Sequence, residues 1–311
     1  MSGGEFDLIQ QCFVSKASYS HAHTVVGNGD DASVHGLAEN EQLVVSTDMA
    51  VQGVHWPDDF PLDLAADRAV CAALSDLAAM GAKACWAWVS VVAEDSDALA
   101  MMGLGVGNAL NRYDVELSGG DTVHAACNSL NITVAGIVEK NTSMQRNKAK
   151  VADNIWILGN SGLASLGLQQ WFSGHKDADF VESFSHIEPK LKQGNLLREM
   201  GVRCCIDVSD GVLQDAGHIS KASQIAMQLD VEKFPDWQRL SEKLGDEKAM
   251  QAMLSGGEDY ALLFTAPANM KGLDKLATCM GVCVPGSDVQ AYYQGEMIHV
   301  VKSGYDHFAS K

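Results

Sequence analysis

The chain has 311 residues, of which 47% are hydrophobic, so it can bury a large core in one large or two medium-sized domains. Forty acidic residues stand against 22 basic ones, for a formal net charge of −18. A field of that sign repels polyphosphates and argues against a nucleic-acid or anionic-membrane surface, so a phosphate-rich ligand would need metal cations to bridge it.

The cysteines and the N-terminus indicate a reduced, cytoplasmic protein. None of the eight cysteines forms a C-x-x-C pair, and several lie inside apolar runs. The first residues lack the basic and apolar regions of a secretory signal, and no apolar run is long enough to span a membrane. His21 and His23 have no neighbouring Cys or His to complete a zinc site, so we expect them in a mobile loop.

The first half of the chain predicts alternating helices and strands up to about residue 138. In chain order we expect a short amphipathic helix from Gly4, a strand through Leu43–Val45 that ends in Ser46–Asp48, a helix from about Leu64, a strand over Cys85–Ala93, a helix over Asp95–Tyr113, and strands at Val115–Ser118 and Leu130–Val138. A polar segment follows, Glu139–Asn154, and we place the domain boundary there, with domains at 1–140 and 150–311.

The second half restarts with a similar alternation. We expect a strand at Ile155–Leu158, a turn at Gly159–Gly162 that opens a helix, a helix ending near Met200, a strand at Cys204–Asp207 followed by a helix, a strand at Ala261–Thr265 and a hairpin over Val289–Val301. This alternation predicts an α/β or α+β class.

The helix expected from Leu64 to Gly81 contains an acid in an unfavourable place. Asp63 and Asp67 suit the positive end of a helix dipole, but Asp76 lies near the negative end. Its neighbours three and four positions away are alanines and a methionine, so no adjacent basic side chain compensates it. Either Asp76 points into water, or something positive from elsewhere in the fold approaches it.

Two glycine-rich stretches suggest phosphate-binding loops, but neither has the complete motif. Gly103-Leu104-Gly105-Val106-Gly107 has the wrong spacing for G-x-G-x-x-G and no strand immediately before it, so we reject a dinucleotide site. The turn Gly159–Gly162 has a geometry that can bind an anion, but it lacks the Gly-Lys-Ser/Thr of a P-loop.

A group of acids recurs beside Gly, Ser or Thr where apolar elements end. Its members are Asp31, Asp48, Asp76, Asp121, Asp207 and Asp210. Carboxylates with hydroxyls and no nearby His or Cys are typical ligands of Mg²⁺, which normally arrives with substrate phosphates. The alternative interpretation is that these six acids lie in ordinary turns on the surface of an acidic protein. No Walker A, H-R-D-x-x-x-x-N or G-x-G-x-x-G sequence is present, which argues against a P-loop NTPase or a protein kinase.

Seven motifs follow one another from one end of the chain to the other. They are Gly29-Asp30-Asp31-Ala32, Ser46-Thr47-Asp48, Leu74-Ser75-Asp76-Leu77-Ala78-Ala79-Met80-Gly81-Ala82, Gly119-Gly120-Asp121-Thr122, Ile206-Asp207-Val208-Ser209-Asp210-Gly211, Ser255-Gly256-Gly257-Glu258-Asp259-Tyr260 and Gly304-Tyr305-Asp306-His307-Phe308. As an ordered set, they resemble the thiamine-monophosphate kinase family, in the superfamily of aminoimidazole ribonucleotide synthetase, selenophosphate synthetase and a hydrogenase maturation protein.

The resemblance implies transfer of the γ-phosphoryl group of ATP to thiamine monophosphate, with several Mg²⁺ ions. It implies Mg²⁺ ligands at Asp31, Ser46, Thr47, Asp48, Asp76, Asp121, Asp207 and Asp210. It also implies ATP contacts at Gly120, Asp121, Arg146 and Ser209, and thiamine-side contacts at His55, Glu258 and Phe308. The implied fold is a two-domain α/β fold like that of aminoimidazole ribonucleotide synthetase. In that fold the N-terminal sheet domain forms a homodimer and the C-terminal α/β domain completes the site.

An acceptor that is itself a phosphate oxygen is already ionised near neutral pH, so this reaction needs no strong general base. We therefore expect direct in-line transfer by positioning and charge neutralisation, with no catalytic side chain in the acid–base sense. Two alternatives stay open: a sister ATP-dependent synthetase or phosphotransferase, and a non-catalytic protein that binds nucleotides or thiamine phosphates.

Overall fold

The computed structural model describes residues 5–176 and 178–298 of the chain. Within them the chain forms two compact units. The first runs to Leu77 and from Ala82 to Asn141, and the second comprises Ala78–Gly81 and the residues from Thr142 onward. The chain passes from the first unit to the second between residues 141 and 142, within the polar segment 139–154. No helix in the described ranges is both long and apolar enough to cross a membrane.

The first unit is built from six strands and three α-helices in its described part. In chain order these are α1 (Glu5–Ile9), β1 (Thr24–Val26), β2 (Val34–His35), β3 (Glu41–Val51), α2 (Leu62–Ala79), β4 (Lys83–Ala93), α3 (Ser96–Arg112), β5 (Glu116–His124) and β6 (Ser129–Glu139). A short π-helical turn, Gln10–Val14, continues α1. The four long strands form one sheet in the order β3-β6-β4-β5, in which only the β4–β5 pair is parallel.

Strands β3 and β5 are longer than the sequence analysis predicts. Both continue through their acids, so Asp48 and Asp121 lie within strands and not in turns that follow them. The reason is non-local: all eleven residues of β3 pair in antiparallel register with β6, and β5 pairs with β4 through His124. Backbone pairing of this kind overrides the local turn preference of Gly, Ser and Asp.

Helix α2 forms where its apolar periodicity predicts it. Val70, Leu74 and Leu77 are fully buried, and Asp63 lies in the first turn, where the helix dipole favours an acid. The helix ends at Ala79, and Gly81 follows with a φ of 67°, a conformation that favours glycine.

The glycines of α3 allow neighbouring backbone segments to pack closely against the helix. A Cβ at Gly103 would lie 2.1 Å from the carbonyl oxygen of Cys12, and one at Gly105 would lie 2.0 Å from the carbonyl oxygen of Asp63. The N-terminal turn and the start of α2 therefore touch the backbone of α3 directly. This contact gives the Gly-x-Gly-x-Gly run a packing role, in agreement with the rejection of a dinucleotide site.

Several side chains of the segment 21–35 pack against β4, although residues 28–32 at its middle are exposed. His21 is buried, and its ring lies 5.0 Å from that of Trp86, while the ring of His35 lies 4.5 Å from that of Trp86. The Glu116 carboxylate accepts hydrogen bonds from the His21 amide and from the Thr24 hydroxyl. Burial lowers the pKa of both His21 and His35. The expectation of a mobile loop is therefore wrong at His21.

The second unit contains seven strands and six α-helices in its described part. In chain order these are β7 (Asp153–Leu158), α4 (Leu163–Phe172), α5 (Val181–Ser185), α6 (Leu191–Met200), β8 (Cys204–Asp207), α7 (Val212–Ser223), β9 (Ala226–Asp230), α8 (Trp237–Leu244), α9 (Asp246–Ser255), β10 (Leu262–Pro267), β11 (Thr278–Val284), β12 (Val289–Tyr293) and β13 (Glu296–Ile298). The strands form one sheet in the order β13-β12-β9-β11-β7-β10-β8.

Central strands β7 and β10 carry apolar residues on both faces, because a large apolar core and helices surround them. Trp156 and Phe264 are cross-strand partners in the ladder, and their rings stack 6.4 Å apart. The core around them includes Ile155, Ile206 and Leu263, each almost fully buried. The mixture of helices and sheets confirms the predicted α/β class.

The glycine contacts of α3 lead to a stability prediction. We expect Gly105→Ala to destabilise the protein by about 1–3 kcal/mol, because the added methyl group overlaps the Asp63 carbonyl. Gly217 lies inside α7, and a methyl group added there would have nothing within 4 Å, so Gly217→Ala should stabilise by about 0.5–1 kcal/mol. Urea unfolding followed by tryptophan fluorescence measures both changes. Equal midpoints for Gly105→Ala and the wild type would contradict the packing role.

Candidate functional site

In the first unit, Asp76 of helix α2 is hydrogen-bonded to strand β3. The Ser46 hydroxyl donates to Oδ2 of Asp76 across 2.5 Å. Both side chains are half-buried, and they join β3 to the last turns of α2. Asp76 therefore points towards the sheet, and the hydroxyl holds one of its oxygens in a fixed place.

Alternation along β3 separates the three predicted ligands of the Ser-Thr-Asp motif. Ser46 and Asp48 are half-buried and share the face that α2 covers, because residues two apart in a strand point the same way. Thr47 points to the opposite face, where its hydroxyl lies 3.1 Å from that of Thr133. The structure thus brings Ser46, Asp48 and Asp76 to one face and turns the Thr47 side chain away from them.

Asp121 lies on the same outer face of the sheet as Thr47, but on a different edge. It pairs with Ser90 of β4, which in turn pairs with Asn131 of β6, and registered partners share a face. Strands β3 and β5 are the two edges of the sheet, three strand spacings or about 14 Å apart. Within one chain, Asp48 and Asp121 are therefore separated by the width of the sheet.

The loop that carries Asp31 is attached to the outer face as well. Asp31 is exposed, and its amide donates to the side chain of Asp30. Two residues later, Ser33 accepts a hydrogen bond from the Trp88 indole and contacts His35. The packed His and Trp rings thus position the acidic turn.

Gly120 and His55 are each held by backbone contacts. A Cβ at Gly120 would lie 2.0 Å from the carbonyl oxygen of Val89, so the β4–β5 pairing itself requires glycine there. His55 lies in the loop after β3, half-buried, and its Nδ1 accepts from the amide of Val51. Their predicted contacts with ATP and thiamine stay predictions.

In the second unit, two predicted ligands flank a tight loop between β8 and α7. Asp207 ends β8 and is buried, and Asp210 lies three residues on, where its side chain accepts from Gln214. The amide of Ser209, between them, donates to the carboxylate of Asp215. Burial, assisted by the nearby charge of Asp210, raises the pKa of Asp215 to about 7.

The Gly-Gly-Glu-Asp-Tyr loop lies directly beside that turn. The Glu258 amide donates to the Ser209 carbonyl across 2.8 Å, and the Tyr260 amide donates to the Val208 carbonyl. The structure therefore brings a predicted nucleotide contact, Ser209, next to a predicted thiamine contact, Glu258. Glu258 itself has a φ of 74°, an unfavourable conformation for a residue with a side chain.

Asp259 occupies the helix N-terminus that follows the turn Gly159–Gly162. Its carboxylate accepts from the amides of Gly162 and Ala164 at 2.6 and 2.9 Å. Removal from water raises the pKa of Asp259 to about 7. An internal carboxylate therefore occupies two of the amides that an external anion would use.

Two predicted residues remain away from these loops. Arg146 opens a short 3-10 turn, its side chain is exposed, and its carbonyl accepts from the hydroxyl of Ser223. Phe308 and the rest of the Gly-Tyr-Asp-His-Phe motif lie outside the described residues.

The donors around Asp76 fit a hard cation. Ser46, Asp48 and Asp76 offer only oxygen atoms, which is the ligand chemistry that Mg²⁺ prefers. Across residues 5–176 and 178–298, no three His, Cys, Asp or Glu side chains are grouped so that they could hold a metal ion. The Mg²⁺ ligand set therefore stays a prediction.

Sequence reasoning missed the two acids that hold the loops of the second unit, Asp215 and Asp259. Asp215 had a signal: an acid in the first turn of a helix that follows a glycine. Asp259 lies inside a motif that the sequence analysis used, but its amide partners are about a hundred residues earlier in the chain. No local pattern identifies such a pair.

Known proteins resemble the chain in both sequence and fold. The family model described as AIR synthase related protein, N-terminal domain, matches residues 29–138. The thiamine-monophosphate kinase of Escherichia coli (strain K12) is 34% identical over 328 residues, and the alignment covers 100% of both chains.

Solved structures agree with the fold. The crystal structure of thiamine-monophosphate kinase from Stenotrophomonas maltophilia K279a superposes with a TM-score of 0.83 at 31% identity, covering 96% of this chain and 99% of that one. AaThiL complexed with AMPPCP and TMP has a TM-score of 0.78 at 23% identity, with 98% and 97% covered. The predicted fold, similar to that of aminoimidazole ribonucleotide synthetase, is confirmed.

The ordered motifs, the fold and the full-length identity to curated kinases lead to one conclusion. The chain belongs to the thiamine-monophosphate kinase family.

Proposed function

We propose that this chain transfers the γ-phosphoryl group of ATP to thiamine monophosphate, giving thiamine diphosphate and ADP. The observation that carries the proposal is the 34% identity to a curated thiamine-monophosphate kinase, in an alignment that covers 100% of both chains. The structure of AaThiL with AMPPCP and TMP bound supports the same pair of substrates.

The chemistry is a direct displacement. A terminal oxygen of thiamine monophosphate forms a bond to the γ-phosphorus of ATP, the bond from that phosphorus to the β,γ-bridging oxygen breaks, and ADP leaves with the electron pair. The attacking oxygen is ionised near neutral pH, so no side chain has to remove a proton from it. The protein contributes alignment of the two phosphates and control of their charge.

Control of charge is the role we assign to the acids. Asp31, Ser46, Thr47, Asp48, Asp76, Asp121, Asp207 and Asp210 would hold several Mg²⁺ ions. When bound, these ions neutralise phosphate charge that a chain of net charge −18 would otherwise repel. The Ser46–Asp76 hydrogen bond supports this assignment, because it holds a carboxylate in place without a basic partner on its own helix.

The remaining contacts are proposed by motif. Gly120, Arg146 and Ser209 would contact the nucleotide, while His55, Glu258 and Phe308 would contact the thiamine side. The hydrogen bond between Glu258 and Ser209 supports placing these two contacts next to each other. We also propose a cytoplasmic location, which is supported by the eight cysteines, all described by the structure and all free thiols.

A coupled assay for ADP release tests the activity directly. With ATP and Mg²⁺ present, we expect ADP formation that depends on thiamine monophosphate and little in its absence. Phosphoryl transfer should also convert thiamine monophosphate to thiamine diphosphate in equal amount, which chromatography measures. ADP release that is the same with and without the acceptor would refute the kinase and favour a sister reaction. Nucleotide binding with no turnover would indicate the non-catalytic alternative.

Asp76 is the residue whose loss should affect the reaction most. We expect Asp76→Asn to lower kcat/KM by about a hundredfold or more, because this amounts to about 3 kcal/mol of lost transition-state stabilisation at a charged centre. Asp63→Asn, an acid in the first turn of the same helix, is the matched control and should keep near-normal turnover. Circular dichroism and thermal unfolding check that both variants fold. A well-folded Asp76→Asn protein with ordinary activity would remove Asp76 from the site.

We further propose that the functional form is a homodimer joined through the four-stranded sheet. Leu43, Val45 and Met49 lie on the outer face of edge strand β3 and are 49%, 55% and 58% exposed. An edge strand with an exposed apolar face normally pairs with something or is covered. A second copy of the same sheet offers a matching apolar surface and an edge.

Charge placed on that surface should separate the dimer. We expect the wild type to elute as a dimer in size-exclusion chromatography with light scattering, and Val45→Lys to shift it to monomer. Phe172→Lys is the control, since Phe172 is 70% exposed but lies on α4 in the second unit. A monomeric wild type, or a Val45→Lys protein that remains fully dimeric, would contradict the proposed interface.

A further inference from the structure

Asp215 makes an unusual set of hydrogen bonds for an acid in the first turn of a helix. Only 2% of its surface is exposed. A single oxygen, Oδ2, accepts from three consecutive amides, those of Ser209, Asp210 and Gly211, at 3.1, 3.2 and 3.2 Å. These amides precede α7, so the side chain reaches back from the helix into the loop.

We propose that Asp215 is a positioning residue that fixes the loop carrying Asp207, Ser209 and Asp210 in the shape that binds Mg²⁺ and nucleotide. The inference rests on the proposed function, which assigns those three residues to the site. Asp215 itself does not touch metal or substrate in this proposal. It acts through the backbone.

The geometry supports a role beyond helix capping. A capping acid satisfies the first amides of its own helix, whereas all three donors to Asp215 come before Val212, where α7 begins. Burial of a carboxylate is unfavourable unless donors surround it, so the three amides and the acid constrain each other. These bonds restrict the loop between β8 and α7 to one backbone conformation. The side chain of Asp210 is also bonded to Gln214.

The constraint extends to the neighbouring loop. The Ser209 carbonyl accepts from the Glu258 amide. A Cβ at Gly257 would lie 2.3 Å from that same carbonyl oxygen, so the two backbones touch. Movement of Ser209 would therefore displace Glu258, the residue proposed for the thiamine side. Through one oxygen, Asp215 influences both loops.

The test uses the fact that all three amides share one oxygen. Asp215→Asn keeps a carbonyl oxygen in that place and removes the charge, whereas Asp215→Ala removes the acceptor. If Asp215 acts by positioning, we expect Asn to retain most of the function and Ala to lose it. A metal ligand or a proton acceptor would be lost in both variants, so that outcome would overturn the inference.

Two readouts are needed, and neither is turnover. Hydrogen–deuterium exchange should show faster exchange of the 209–211 amides in Asp215→Ala but not in Asp215→Asn. Titration calorimetry with a non-hydrolysable ATP analogue should show the apparent affinity for Mg²⁺ fall about tenfold or more in Asp215→Ala, the size of effect expected when support of a ligand is removed. Asp215→Asn should stay within about threefold of wild type, which is less than 1 kcal/mol.

Asp95→Ala is the matched control. The Asp95 carboxylate also accepts backbone amides, those of Asp97 and Ala98, but at the start of α3 and outside both loops. It should lower thermal stability without changing the affinity for Mg²⁺. Normal Mg²⁺ affinity in Asp215→Ala, despite faster exchange at 209–211, would overturn the role of Asp215 alone. Absence of Mg²⁺-dependent nucleotide binding by the wild type would overturn the proposed function, and the role of Asp215 with it.

Discussion

A carboxylate that leaves water needs hydrogen-bond donors, and the arrangement of this protein follows from how that need is met. The chain has few basic residues for its many acids, so backbone amides and hydroxyls serve as the donors. Asp215 and Asp259 accept from loop and helix amides, and Asp76 accepts from the Ser46 hydroxyl. Glu116 accepts from the His21 amide in the same way. The bonds of Asp76, Asp259 and Glu116 join segments that are far apart in sequence, whereas those of Asp215 fix the loop just before its own helix.

At the deeply buried Asp215 and Asp259 the loss of water raises the pKa to about 7, in spite of the amide donors. At the half-buried Asp76, a salt bridge would neutralise the carboxylate, whereas the Ser46 hydroxyl orients it and adds no positive charge. This distinction suits a protein that must bring two phosphorylated substrates together. By contrast, Asp67 is paired with Arg112 at 2.6 Å, in a contact between helices α2 and α3. Asp67 belongs to none of the seven motifs, so this ion pair serves the packing of the two helices.

Much of the fold could be predicted because its signals are local. Helix α2 is found where its apolar periodicity places it, and strand β4 is found where a run rich in Trp and Val predicts a buried strand. The lengths of β3 and β5 could not be predicted, because pairing with distant strands continues them through turn-forming residues. The burial of His21 was missed for the same reason, as its partners Trp86 and Glu116 are more than sixty residues away.

In the candidate site, too, some features could be predicted from local sequence and others depend on contacts between distant residues. The order of the motifs was enough to identify the family, but a motif does not say which way a side chain points. Ser46 and Thr47 are neighbours in sequence, yet they lie on opposite faces of the sheet, because strand geometry turns successive side chains apart. The sequence shows that Asp215 lies in the first turn of a helix, but not that it bonds to the loop amides, because that depends on the path of the loop before the helix.

Strand β3 carries two sets of residues that must not be exchanged. Its even positions from Val44 to Ala50 face α2, and its odd positions from Leu43 to Met49 face outward. Insertion or deletion of one residue near Glu41 would shift the register, turn Ser46 and Asp48 outward, and turn Val45 and Met49 towards the helix. A substitution in this strand changes only one of its faces, whereas a change in its length alters both faces at once.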